Sequence, residues 1–170
     1  MLGSYDAVML CDADTLVEAD PVAEAVRQAH SGALHFPFML YRSWSEEATR
    51  RLLDGEAVDE SKVAGVTVGS TGGAMVMNPA AWWDIGGMDE RFTAWGWEDW
   101  AFPLAATVLG NGVVRHEGSV WHLWHPTDAS KESPQQQAGE RLFWRYSQAE
   151  TPEAMRALVN EHVSEREPHP

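Results

Sequence analysis

A chain of 170 residues, 44% of them hydrophobic, is long enough for one domain with a packed core and too apolar for a disordered protein. With 26 acidic and 12 basic side chains the formal net charge is −14, which would repel a phosphate backbone and argues against nucleic acid as a partner. An anionic ligand would need a local cation, and a bound divalent metal is the obvious one. No apolar run approaches the ~20 residues of a membrane span, and the first ten residues lack the basic flank of a secretory signal. The single cysteine, Cys11, cannot form an internal disulfide. A cytoplasmic address is expected.

In chain order, Asp6–Leu10 reads as a short buried strand ending in Asp12-Ala13-Asp14, with Cys11 packed inside. Asp20-Pro21 predicts an N-cap and first-turn proline for a helix over Val22–Ala29, closed by Gly32. Ala33–Met39 reads as a strand, with Pro37 marking an edge or a bulge. Ser43 and Glu46 have capping-box spacing for a helix through Leu53, followed by a polar loop over Asp54–Lys62. Val66–Val68 and Ala74–Met77 are strand-like around Gly69-Ser70-Thr71-Gly72-Gly73. Asn78-Pro79 opens a short helix that Gly86-Gly87 ends. After a Trp- and Gly-rich loop, Glu98-Asp99 leads an apolar helix to Leu109, in which Pro103 predicts either a late start or a kink. Val113–His116 and Ser119–Trp124 are strand-like. Ser133-Pro134 and Thr151-Pro152 open two C-terminal helices, and the tail from Glu165 is expected to fray. Strands alternate with helices, so the class is α/β.

Nine tryptophans are unusual, and seven of them (Trp82, Trp83, Trp95, Trp97, Trp100, Trp121 and Trp124) fall in less than a third of the chain. Core packing is the expectation for most. An indole also packs against the C–H face of a sugar, so one or two near a polar cluster are candidate ligand platforms.

Three clusters carry chemistry. Asp12-x-Asp14 stands where a strand gives way to a loop, and two carboxylates so spaced can face one divalent cation. Aspartates also cap turns after strands, so the pair alone decides little. His122 and His125 sit in Trp121-His122-Leu123-Trp124-His125. Either could be a ligand or a satisfied core histidine, and an imidazole in the site would favour Mn²⁺ over Mg²⁺. Glu98-Asp99 is flanked by Trp95, Gly96, Trp97 and Trp100. Desolvation and mutual repulsion raise the pKa of one member of such a pair, which suits a general base, while acids at a helix start also complement its dipole.

Taken together, YDAVMLCDAD, GSTGGAMVMN, GGMDERFTAWGWEDWAF and VWHLWHP, in that order, resemble glycosyltransferases of the GT-A fold. The likeness is to the C-terminal region of β-1,4-galactosyltransferases, chondroitin-polymerase-type enzymes and polypeptide N-acetylgalactosaminyltransferases, and it runs from Tyr5 to Pro126. It implies a hexosyltransferase-type enzyme that moves a sugar from a nucleotide-diphospho-sugar, a UDP-sugar favoured, to a hydroxyl of a glycan or protein. It further implies Asp14 and His122 as metal ligands, and Asp12 at the metal or the ribose. Gly72 and Gly73 would lie at the donor sugar, with Trp95 and Trp97 as acceptor platforms. Glu98 would hold the acceptor hydroxyl, and Asp99 would be the base. The expected cofactor is Mn²⁺ or Mg²⁺. An aspartate at the base position, where some retaining relatives carry an amide, favours inversion.

The implied fold is a partial GT-A domain, a mixed sheet flanked by helices, over residues 1–126. A C-terminal helical extension over 127–164 and a tail over 165–170 would follow. In GT-A enzymes a half-domain that holds the nucleotide base precedes the acidic strand, whereas eleven residues precede Asp12 here. That first half is expected to be absent, with another chain or a second copy supplying or covering the nucleotide-binding side. Two other classes compete: a non-catalytic sugar-binding or scaffold module derived from a glycosyltransferase, and a phosphatase-type hydrolase with Asp12 as nucleophile. The second lacks the Gly-Thr pair that usually follows its acidic motif, since Thr15-Leu16-Val17 stands there.

Overall fold

A computed structural model describes residues 6–57, 59, 63–126 and 133–163. It is a mixed α/β structure with two mixed four-stranded sheets where one was expected. The first has the order β1-β6-β3-β7, made of β1 (Val8–Cys11), β3 (Leu34–Phe36), β6 (Ala74–Met77) and β7 (Val113–Arg115). The second has the order β2-β8-β4-β5, from β2 (Thr15–Val17), β4 (Leu40–Trp44), β5 (Val63–Val68) and β8 (Ser119–His122). Within each sheet one neighbouring pair is parallel, β3 with β7 and β4 with β8, and the others are antiparallel.

The strands pass repeatedly from sheet to sheet. β1 to β2, β3 to β4, β5 to β6 and β7 to β8 each leave one sheet and enter the other. Two of these crossings, Asp12–Asp14 and Gly69–Gly73, are the acidic and glycine-rich segments singled out above. A third corrects the strand expected over Ala33–Met39. Its apolar run is split at Pro37, so Leu34–Phe36 stays in the first sheet and Leu40–Trp44 joins the second. Proline has no N–H to give to a ladder, so the run breaks there.

The first sheet is buried on both faces. Val76 meets Ala25 and Ala29 at the helix α1 (Ala19–Gln28) and the 3₁₀ turn after it. On the opposite face Met75, Met77, Leu34 and Phe36 pack with Ile85, Phe102 and Ala106. Phe102 and Ala106 belong to α4 (Trp97–Leu109), whose other side, Ala101 and Ala105, packs with Tyr146, Met155, Leu158 and Val159. Those residues lie on α5 (Pro134–Gln148) and α6 (Pro152–Val163). A helix buried on two sides shows little amphipathic contrast. α4 is continuous through Pro103, so the late start is ruled out. The proline ring removes one intrahelical donor, and the Pro103 carbonyl accepts from the Thr107 hydroxyl at 2.7 Å.

Caps fall mostly where the sequence places them. Asn78 accepts from the N–H of Ala80 and Ala81 ahead of α3 (Pro79–Asp84), and Ser133 accepts from Gln136 N–H ahead of α5. Two caps differ. α2 (Glu46–Leu53) is capped by Ser45, which accepts from Ala48 N–H, because Ser43 is taken into β4. α1 begins at Ala19 after Glu18, so Asp20 lies inside the first turn, and the Glu18 carboxylate instead accepts from Ser119 N–H at 3.1 Å.

The tryptophans also depart from expectation. Among the nine only Trp44 is buried, while Trp83, Trp95, Trp100, Trp124 and Trp144 are exposed. Cys11 is exposed too, at the last position of an edge strand, with its Sγ 3.1 Å from Thr15 Oγ1. The loop expected over Asp54–Lys62 lies partly outside the described residues, as does the tail from Glu165, and β5 starts at Val63, three residues before the predicted strand.

Candidate active site and metal centre

The site forms at the seam between the sheets. β1 ends at Cys11, and the chain turns through Asp12–Asp14 before β2 begins at Thr15. Asp12 N–H donates to Gly73 carbonyl at 2.9 Å, and the Thr15 hydroxyl lies 3.0 Å from Asp12 carbonyl and 3.1 Å from Gly73 carbonyl. The acidic turn and the glycine-rich crossing are therefore stitched together by one backbone bond and the Thr15 hydroxyl.

β8 brings in the histidines. His122, its last residue, stands opposite Thr15 on one side and Ser43 on the other. Leu123 N–H donates to Asp14 carbonyl at 2.8 Å, and the chain then bends so that His125 returns to the same carboxylate. The Nε2 atoms of His122 and His125 each lie 3.3 Å from Asp14 Oδ2. The ligand atoms of Asp14, His122 and His125 all fall within 4.8 Å of one another, so the two histidines between which the sequence left a choice both reach the aspartate. Asp12 stands outside this triad but within its field: burial raises its pKa and Asp14 raises it further, against Gly73 N–H and His122.

The donor set fits a divalent cation. His125 Nδ1 lies 3.0 Å from Pro126 carbonyl, which can only accept, so that nitrogen carries the proton in a neutral ring. Its Nε2 lone pair then faces Asp14 Oδ2, an acceptor facing an acceptor. A cation between them resolves the conflict, as does a second proton on the ring.

The second half of the site comes from the start of α4. Gly96, at φ 89°, takes the left-handed conformation that turns Trp95-Gly96-Trp97 into the helix. Glu98 and Asp99 follow in the first turn. With Asp12, Gly73, Leu10 and Met88 they line a cavity of about 110 Å³. Asp99 lies against Gly72, and burial, then the Glu98 and Asp12 carboxylates, push its pKa up to about 7. Glu98 is raised by burial, and its Oε2 is buried with no hydrogen-bond partner among the described residues. A carboxyl titrating near neutrality, beside a cavity and a buried acceptor, can take a proton from a hydroxyl.

The expected platforms separate. Trp95 is 73% exposed, three residues before Glu98 in the chain. Trp97 turns away, stacked on Phe143 with ring centroids 5.1 Å apart and pressed against Gly139 of α5. Tyr41 was not singled out in the sequence, where nothing distinguishes it from any strand tyrosine. Its ring lies 5.4 Å from His122 and against Gly73, where a Cβ would come within 3.1 Å. Burial raises its hydroxyl pKa, and Asp12, Asp14 and Asp99 add to the rise.

Residues 57–125 match a family model described as the N-terminal domain of galactosyltransferase. The match supports a glycosyltransferase family. It spans Gly72, Gly73, Trp95, Trp97, Glu98, Asp99, His122 and His125, and it stops short of Asp12 and Asp14. No curated protein and no solved structure matches the chain. A glycosyltransferase family implies a sugar-nucleotide donor and an acceptor, and the Asp14–His122–His125 cluster offers a place for a divalent metal. Among the described residues no helix is long and apolar enough to cross a membrane.

Proposed function

We propose that this protein transfers a hexose from a nucleotide-diphospho-sugar, a UDP-sugar by preference, to a hydroxyl of a glycan or protein, with inversion at the anomeric carbon. The observation that carries the reading is Asp99, a carboxyl raised to about 7 in a cavity shared with Asp12 and next to a cluster of metal-ligand type. Asp99 takes the proton from the acceptor hydroxyl as that oxygen attacks the anomeric carbon, and the bond to the diphosphate breaks with its electron pair on the leaving oxygen. Glu98, with one oxygen buried and unpartnered, orients the hydroxyl toward Asp99. Trp95 offers the exposed ring on which an acceptor sugar packs. Gly72 and Gly73 keep the donor side free of side chains.

Asp14, His122 and His125 would hold Mn²⁺, with Asp12 beside it. The ion supplies the charge that neutralises a diphosphate leaving group, which an acidic chain cannot supply by itself. Incubation with a panel of nucleotide-sugars and hydroxyl acceptors, with and without Mn²⁺, tests the reading. Mn²⁺-dependent transfer giving a product of inverted anomeric configuration is the expected outcome. A chain that binds sugars yet transfers none under any donor would be a binding module instead.

A further inference from the structure

The three candidate ligands are not held equally. His122 lies in a strand paired on both sides, and Asp14 is tied through its carbonyl to Leu123. His125 lies beyond the end of β8, and its side chain is half exposed. Besides the Leu123–Asp14 bond, the stretch between them is held by a bond from outside the sheet. Trp124 N–H donates to Thr49 Oγ1 at 2.8 Å. Thr49 is 6% exposed on α2, whose start is set by the Ser45 cap and by Thr49 N–H donating to Ser45 carbonyl at 3.0 Å.

We infer that Thr49 is a positioning residue for the metal centre, acting through Trp124 to hold His125 on Asp14; this rests on the metal reading proposed above. Consecutive amides, Leu123 on Asp14 and Trp124 on Thr49, fix the bend that brings the chain back after β8. Removal of the Thr49 oxygen leaves the Trp124 N–H with no acceptor in place. Since Trp124 is exposed, its amide can turn to water and carry His125 away. His122 would stay, because the strand ladder holds it. Partners behind a ligand commonly change metal affinity by about 10–100-fold when removed.

The test is a Mn²⁺ titration of the full chain, followed by the loss of the free-ion electron paramagnetic resonance signal. Thr49→Val, which keeps the shape and removes the oxygen, should weaken Mn²⁺ by about tenfold, while Thr49→Ser should stay within about twofold of the parent. Thr49→Val placed on His125→Ala should add nothing further, since both act through one ligand. Parent-like affinity in Thr49→Val overturns the inference and leaves the metal reading standing, as does a full additional loss in the double variant. A parent chain that binds no Mn²⁺ overturns both. Should Thr49→Val fail to fold, Thr49→Ala removes the same oxygen without a branched side chain and must show the same loss.

Discussion

Asp99 fills the space that a side chain at Gly72 would take: a Cβ there would stand 2.9 Å from Asp99 Oδ2. The absent side chain thus leaves the room that the Asp99 carboxylate, the group proposed above as the base, occupies. Gly72→Ala must push that carboxylate aside, and misplacement of a reacting group by about 1 Å costs on the order of 10²-fold. Steady-state kinetics should show kcat down by roughly that factor, with Mn²⁺ affinity unchanged.

Asp99→Asn keeps the shape but cannot accept a proton. Turnover should fall about 10²–10⁴-fold, while donor affinity measured by calorimetry stays near the parent value. Because burial and neighbouring acids hold the Asp99 pKa at about 7, kcat/KM should rise with pH through that value in the parent.

The same shift has a stability consequence. The folded-state pKa of Asp99 is raised, so the folded protein holds a proton that the unfolded chain gives up between about 3.8 and about 7. Its contribution is present at low pH and is lost as pH rises through 7. Asp99→Asn should therefore raise the thermal midpoint at pH 8 and leave it nearly unchanged at pH 4, measured by calorimetry.

Metal affinity should depend on all three clustered residues. Asp14→Ala should remove most Mn²⁺ binding, and His122→Ala and His125→Ala should each weaken it by at least about tenfold. Protons compete with the ion for imidazole nitrogen, so affinity should fall on acidification. Titration of the three variants checks this; an unaffected His125→Ala would return the site to Asp14 and His122.

A buried network fixes the helices behind the site. Asp89, 5% exposed, takes the Arg91 guanidinium at 2.6 Å and the Tyr146 hydroxyl at 2.9 Å, and Arg91 also reaches Glu161 at 2.7 Å. Arg91→Ala leaves a buried carboxylate unpaired and should cost about 3–5 kcal/mol, and Tyr146→Phe about 1–3 kcal/mol, by urea denaturation. Burial tends to raise the Asp89 pKa, but Arg91 and Tyr146 more than offset it and the net shift is downward. That stabilisation is present above the ordinary aspartate range and is lost as pH falls through the lowered value, so Arg91→Ala should flatten the acid limb of the stability profile.

Much of this was legible in the sequence because local signals and tertiary demands agreed. Ala74–Met77 is an apolar run bounded by Gly73 and the Asn78-Pro79 cap, and it is a strand as expected, fully buried. Ser133-Pro134 and Thr151-Pro152 open helices where predicted. Misses came where the chain changes sheets. Leu40–Trp44 was hidden because the apolar run before it continues across Pro37, and only pairing with β8 and β5 reveals a new strand. Once Ser43 was in that strand, the cap moved to Ser45. The exposure of Trp100 and Trp144 is equally invisible to composition, since a ring's fate depends on which side of a helix meets a neighbour. For the site, Asp12, Asp14, Glu98 and Asp99 stood out as acids at element ends. Tyr41 and Thr49 gave no signal, because their roles come from contacts at long sequence separation.

The turn bearing Glu98 and Asp99 leans on α5 at several points: Trp97 on Phe143 and Gly139, and Trp95 carbonyl on Gln136 Nε2 at 3.1 Å. A side chain at residue 139 would strike the Trp97 ring, with its Cβ only 2.9 Å from Cδ1. The two last helices therefore cannot be treated as a detachable appendage in protein engineering. A chimera joined near residue 126 would import a foreign surface beneath the indole and disturb the turn that carries Glu98 and Asp99, even with every acidic residue retained. Under the acceptor roles proposed for Trp95 and Glu98, libraries at Gly139, Phe143 and Gln136 would be a remote handle on acceptor preference.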